Sequence, residues 1–174
     1  MIDVRVGELA EVPAGAVVRP VDTDFSPVTA AMRRFDDAAG PAVAEQCSRL
    51  GELPLASAVI TAAGDLPADF IVHVAVRSRT ENPTASVVRR GLTNALHRLV
   101  DWGIREVALA PLGTGAGNLD AEESAAVMLP VLVEHMQDNG VPSAVTIMVE
   151  DEYQRAAFEA ALARAGGERT GTGH

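Results

Sequence analysis

The stretch VALAPLGTGAGNLDAEESAAV, Val107 to Val127, carries three glycines at alternate positions, Gly113, Gly115 and Gly117, between an apolar run and a helix start. Where a strand end passes into a helix through glycines, backbone N–H groups can line a concavity, and the helix N-terminus adds partial positive charge. That combination holds phosphate without a cationic side chain. Missing Cβ atoms would let a ligand approach the backbone of Gly113, Gly115 and Gly117, with Ala116 and Asn118 completing the loop and the Thr114 hydroxyl adding a hydrogen bond. A Walker loop is excluded, because it needs a lysine and this chain has none. The dinucleotide fingerprint G-x-G-x-x-G is also excluded, since the spacing here is G-x-G-x-G and lies late in the chain. A tight strand-to-helix turn with no ligand remains open.

Other reactive residue types are sparse. His73, His97, His135 and His174 share no ligand spacing with one another or with Cys47, so no metal centre is expected. His73 lies in an apolar run and reads as a satisfied interior histidine. No base can be named beside Cys47, which reads as a core residue, and no G-x-S-x-G elbow is present. Glu122 and Glu123 stand in the first turn of a helix, where their charge favours the dipole without any catalytic role. Arg33, Arg34, Arg89 and Arg90 are paired cations on helices, expected to be exposed, although one could reach a ligand phosphate.

Alternating elements must position the glycine loop. Val- and Ile-rich runs at 2–6, 16–21, 58–62, 70–76, 107–112 and 145–149 predict strands. Helical patterns lie at 27–37, 41–49, 85–102, 121–139 and 152–164. In the third helix, Val88, Leu92, Leu96 and Leu99 form one apolar face. Asp120 with Glu123 predicts a capping box, and Gly103 and Gly140 predict helix ends. Such alternation implies an α/β domain, and the short connections between early strands suggest a mixed sheet.

The 174 residues fit a single domain over 1–165, with 166–174 expected to be a flexible tail. Composition is 48% hydrophobic and 22% charged, as in globular proteins. A net charge of −10 argues against a nucleic-acid groove, which needs clustered positive charge. A single cysteine points to no oxidising compartment, and no run approaches the length of a membrane span. A cytoplasmic location is therefore expected, with no membrane partner.

Read together, these segments resemble the macro domains, a family of ADP-ribose-binding modules. Ala110-Pro111-Leu112 running into Gly113-Thr114-Gly115 is similar to the family's second phosphate loop. VGELAEVPAGAVV, AAGPAVAEQC and AVITAAGDLPADFIVHVAV follow in family order, the last through Thr61, Gly64, Leu66, Pro67 and His73. The resemblance implies a three-layer α/β/α sandwich with a mixed central sheet and a cleft at the carboxyl ends of its strands. It implies ADP-ribose, or a related nucleotide, as ligand, with an ADP-ribosylated protein as a possible partner and no cofactor. Phosphate and terminal ribose would rest on residues 113–118. Glu8 stands where the family has an aspartate that accepts from the adenine amino group, Val28 follows the first phosphate loop, and Glu150 takes the place of an adenine-stacking aromatic, with Tyr153 nearby.

Departures from the family pattern cluster early. Its Asn-Ala-Ala-Asn motif corresponds to Arg19-Pro20-Val21-Asp22, so Asp22 contacts the terminal ribose in the implied site and is the candidate general base. An aspartate accepts but does not donate, and its charge would repel phosphate. The family's glycine run corresponds to Thr23–Val28, which has no glycine and includes Pro27, a residue without an N–H. Three functions follow: a nucleotide-binding module, a de-ADP-ribosylating hydrolase using Asp22, or a degenerate domain serving protein interaction.

Overall fold

The computed structural model describes the backbone of residues 1–170 and side chains through Gly166. Six strands form one sheet: β1 (Ile2–Val6), β2 (Ala16–Asp22), β3 (Ala58–Ala62), β4 (Phe70–Arg77), β5 (Glu106–Leu109) and β6 (Ala144–Val149). Their order is β1-β6-β5-β2-β4-β3; every neighbouring pair is parallel except β3 with β4. The sheet is mixed, as expected, but for a different reason. β1 and β2, though joined by only a short 3-10 turn (Leu9–Glu11), do not pair, and β6 and β5 lie between them. The antiparallel partner comes instead from the short β3–β4 connection.

Five helices cover the sheet: α1 (Ala30–Ala39), α2 (Pro41–Leu50), α3 (Ala85–Asp101), α4 (Ala121–Asn139) and α5 (Glu152–Thr170). α3, α4 and α5 pack side by side in one layer, and α1 packs on α2 in the other. Strand alternation sorts the side chains between these layers. Val74 lies against Gly91 of α3, where an added Cβ would come within 2.7 Å of Val74 Cγ1. Its neighbour His73 points the other way, toward α1 and α2. The apolar face expected on α3 is buried throughout, with Val88, Leu92, Leu96 and Leu99 no more than 1% exposed. Each such leucine stabilises the fold by about 1.5–3 kcal/mol.

Helix boundaries follow local chemistry. Asp120 and Glu123 form the expected capping box at the start of α4, and Gly140, left-handed at φ 71°, ends it. α1 begins at Ala30 rather than residue 27, because Pro27 is drawn into a bridge with Val21 and the Thr29 side chain caps the helix by accepting from Met32 N. β5 stops at Leu109, so Ala110–Leu112 belong to the loop that leads into the glycines. α5 is continuous to Thr170, so the expected tail overlaps its last turn, and residues 171–174 lie outside the described residues. Among the described residues, no helix is long and apolar enough to cross a membrane.

Candidate functional site

The carboxyl ends of β1, β6, β5 and β2 lie along one edge of the sheet because those strands are parallel. Open α/β sheets form their ligand crevices at this edge. A cleft of about 690 Å³, its open mouth included, lies there. Leu9, Pro20, Phe35 and Met148 give it apolar walls. Thr29, the N-cap of α1, and Ala31 in its first turn border it, as do Thr114, Glu8, Arg34 and Glu150.

Two backbone segments meet in this cleft. In the glycine loop, Asn118 N donates to Gly115 O at 3.0 Å and Leu119 N to Gly113 O at 3.1 Å, folding the loop on itself. Thr114 and Leu119 form an isolated parallel bridge, and among the described residues the amides of Ala116 and Gly117 donate to no protein acceptor. Gly115 adopts φ +131°, and a Cβ placed on it would lie 3.5 Å from both Thr29 Cγ2 and Val28 O, so the loop approaches the start of α1 closely. The first-turn amides of Ala30 and Ala31 have no intrahelical partner, as at any helix start. Two sets of free amides therefore flank one cleft, and no lysine is required.

Gly113 is explained by packing. Its φ is +83°, and a Cβ there would press on Val88 Cγ2 at 2.7 Å and Leu119 Cδ1 at 3.1 Å, so this glycine lets the loop seat against α3.

Compared with known families, the sequence matches the Macro domain family over residues 18–128, more than half of its length. The chain belongs to the macro domain family. An O-acetyl-ADP-ribose deacetylase of Citrobacter koseri is 26% identical over 176 residues, spanning 96% of this macro domain and 98% of that protein. An uncharacterized protein of Mycobacterium tuberculosis is 22% identical over 161 residues, 92% of this chain but 44% of its own length. The macro domain thus spans less than half of such relatives. Among solved structures, the Oceanobacillus iheyensis macrodomain with ADP superposes with a TM-score of 0.86 at 20% identity, over 95% of this chain and 91% of that one. At that identity the likeness bears on the fold.

Of the residues expected in the macro domain's site, Glu8, Thr114 and Glu150 line this cleft, and Val28 and Gly115 adjoin it. Ala116 and Gly117 are exposed at the loop tip, and Asn118 braces the loop, its side-chain amide 3.5 Å from Thr114 O. Tyr153 does not line the cleft; it is 60% exposed and its hydroxyl donates to the Glu122 carboxylate at 2.7 Å, which raises its pKa. Asp22 lies beyond the cleft. Both of its oxygens accept from Arg77, from Nε and Nη2 at 2.8 Å, and the pair borders a separate cavity with Asp24, Arg79 and Asn82. A register shift between Val21 and Asp22, at the end of β2, accompanies this placement.

Three features of this macro domain lie outside the sequence-based expectations. Thr29 as an N-cap, the signal for amides at the start of α1, was legible as a threonine three residues before Met32. Gln154 lines the cleft and its Oε1 accepts from Glu150 N at 2.9 Å, a local contact four residues apart. A buried polar relay beneath the cleft carried no sequence signal of its own.

That relay begins at Arg19, which is 2% exposed. Its Nε donates to His73 Nδ1 at 3.0 Å, and Nη1 is paired with Asp36 on α1. With Nδ1 accepting, Nε2 carries the proton and donates to Thr61 Oγ1 at 2.8 Å, which donates on to Ala62 O. Burial holds the His73 pKa well below the usual range, with the Arg19 charge acting in the same direction. Burial also raises the Asp36 pKa, against the pull of Arg19. Phe25, at φ 68°, packs edge-on against His73 with ring centroids 5.4 Å apart. This contact anchors the glycine-free segment between β2 and α1. The His73 reading as an interior histidine and the Cys47 reading as a core residue agree with their exposures of 0% and 5%.

Proposed function

We propose that this macro domain binds ADP-ribose or a related nucleotide derivative, with the phosphates between residues 113–117 and the first turn of α1. The carrying observation is the close approach of the glycine loop to Val28 and Thr29, which sets unengaged loop amides beside a helix N-terminus in one cleft. This arrangement compensates for the missing glycine run, since helical amides do not depend on side-chain size. Relatives named for O-acetyl-ADP-ribose and a neighbour solved with ADP support the choice of nucleotide. The apolar walls and the two carboxylates, Glu8 and Glu150, suit a base and ribose better than a second phosphate. An ADP-ribosylated protein presents the same group and is the macromolecular partner this reading supports.

Titration calorimetry with ADP-ribose, ADP and AMP tests it. ADP-ribose and ADP should bind more tightly than AMP, and no heat with any of them at millimolar concentration would end the reading.

A second reading, turnover of an ADP-ribose derivative, is favoured by the name of the Citrobacter relative. Asp22 is the acid assigned to it by family position, yet Arg77 engages both of its oxygens. We therefore expect that any release of acetate from O-acetyl-ADP-ribose persists in Asp22→Ala. Loss of turnover in a variant that still binds ADP-ribose would restore Asp22 as the base.

A further inference from the structure

The base end of the cleft holds a second polar pairing. Arg34, on α1, donates from Nε to Glu8 Oε1 at 2.9 Å, joining α1 to the loop after β1. Both side chains line the cleft and both are partly exposed, 55% for Arg34 and 39% for Glu8. The two terminal amines of Arg34 donate to no protein acceptor among the described residues, and Glu8 Oε2 accepts from none. A guanidinium and a carboxylate thus stand side by side, each with free capacity, next to the apolar surfaces of Leu9 and Phe35. A lone carboxylate reads only a donor on a ligand. A carboxylate beside a guanidinium reads a donor next to an acceptor.

We propose that the Glu8–Arg34 pair reads the purine edge and admits 6-oxopurine nucleotides, such as hypoxanthine and guanine diphosphates, as well as adenine ones. The proposal rests on the nucleotide reading above and names the ligand class for the same cleft. Along the edge N7, C6 substituent and N1, adenine presents acceptor, donor, acceptor. Hypoxanthine and guanine present acceptor, acceptor, donor. With Arg34 on the N7 side and Glu8 on the N1 side, one pose serves both. Arg34 donates to adenine N7 while the 6-amino group donates to Glu8; or Arg34 donates to O6 and N7 together, as guanidinium groups do with guanine, while N1–H donates to Glu8. Without Arg34 the 6-oxo group would face an unshielded carboxylate, acceptor against acceptor. The pair's exposure means that neither side chain is needed to hold the fold.

Calorimetry with ADP and IDP, which differ only at the base edge, tests this on wild type, Arg34→Ala, Arg34→Lys and Glu8→Ala, with thermal melting to verify folding. Wild type should bind ADP and IDP within about tenfold of each other. Arg34→Ala should weaken IDP at least about tenfold more than ADP, and Arg34→Lys, which keeps a donor, should recover part of the IDP affinity. Glu8→Ala should weaken both nucleotides. If wild type binds ADP but IDP at least about a hundredfold more weakly, or if Arg34→Ala weakens both equally, the pair does not read the base and the inference fails while nucleotide binding stands. If neither nucleotide binds wild type, the nucleotide reading itself falls and this one with it.

Discussion

Gly115→Val tests the meeting of the glycine loop and α1 most directly. At φ +131° an L side chain is strained, which costs about 1–3 kcal/mol. Domain stabilities are about 5–15 kcal/mol, so the native fold should persist. The added Cβ would lie 3.1 Å from Asn118 Nδ2, a side-chain end that can yield by a few tenths of an ångström, and 3.5 Å from Thr29 Cγ2 and Val28 O. Valine's two methyls extend one bond further into the gap between the loop and α1, so a phosphate could no longer contact both. Losing two charge-assisted hydrogen bonds at about 1.5–3 kcal/mol each removes at least about 3 kcal/mol of binding energy, more than about a hundredfold in Kd. Gly140→Val, at the end of α4 and away from the cleft, is the matched control: its φ is +71° and nothing lies within 4 Å of its added Cβ. It shares the backbone strain without bridging the gap, and its affinity should fall by no more than about tenfold. Calorimetry with ADP-ribose on both variants, each checked by urea unfolding, reads the difference. Affinity of Gly115→Val within about threefold of wild type, or equal losses in both variants, would refute the two-sided phosphate seat.

Two further expectations concern the polar relay beneath the cleft. Asp36→Ala leaves the Arg19 guanidinium, 2% exposed, without its counter-charge and should destabilise the fold by about 3–5 kcal/mol in urea unfolding; a loss below about 1 kcal/mol would mean that water replaces the carboxylate. His73, whose folded pKa is depressed, refuses a proton that the unfolded chain accepts. Its stabilising contribution is therefore complete above the unfolded value of about 6.5 and is lost as pH falls from there toward the folded pKa, by up to about 1.4 kcal/mol per pH unit. Unfolding measured between about pH 6.5 and 5 should show that slope in wild type and a flatter one in His73→Gln. Equal slopes would locate the titration elsewhere.

Much of this protein is written in local pattern. Val88, Leu92, Leu96 and Leu99 declare a buried helix face, Asp120 and Glu123 declare a capping box, and the glycine spacing after β5 marks a backbone-lined loop. Each depends on residues within a turn or two of one another, so sequence carries them. The tertiary structure alone decided which distant residues share a surface. It set the start of α1, with its unpaired first-turn amides, beside Gly115, next to a Thr23–Val28 segment that has no glycine. It placed Asp22, at the end of β2 where the register shifts against β4, in the grip of Arg77 rather than in the cleft. It joined Arg19 to His73 and Asp36, and Arg34 to Glu8, pairs separated by 54, 17 and 26 positions. Such side-chain pairing acts through space and leaves no periodicity along the chain, so the sequence could name the ends of these contacts but not which ends would meet.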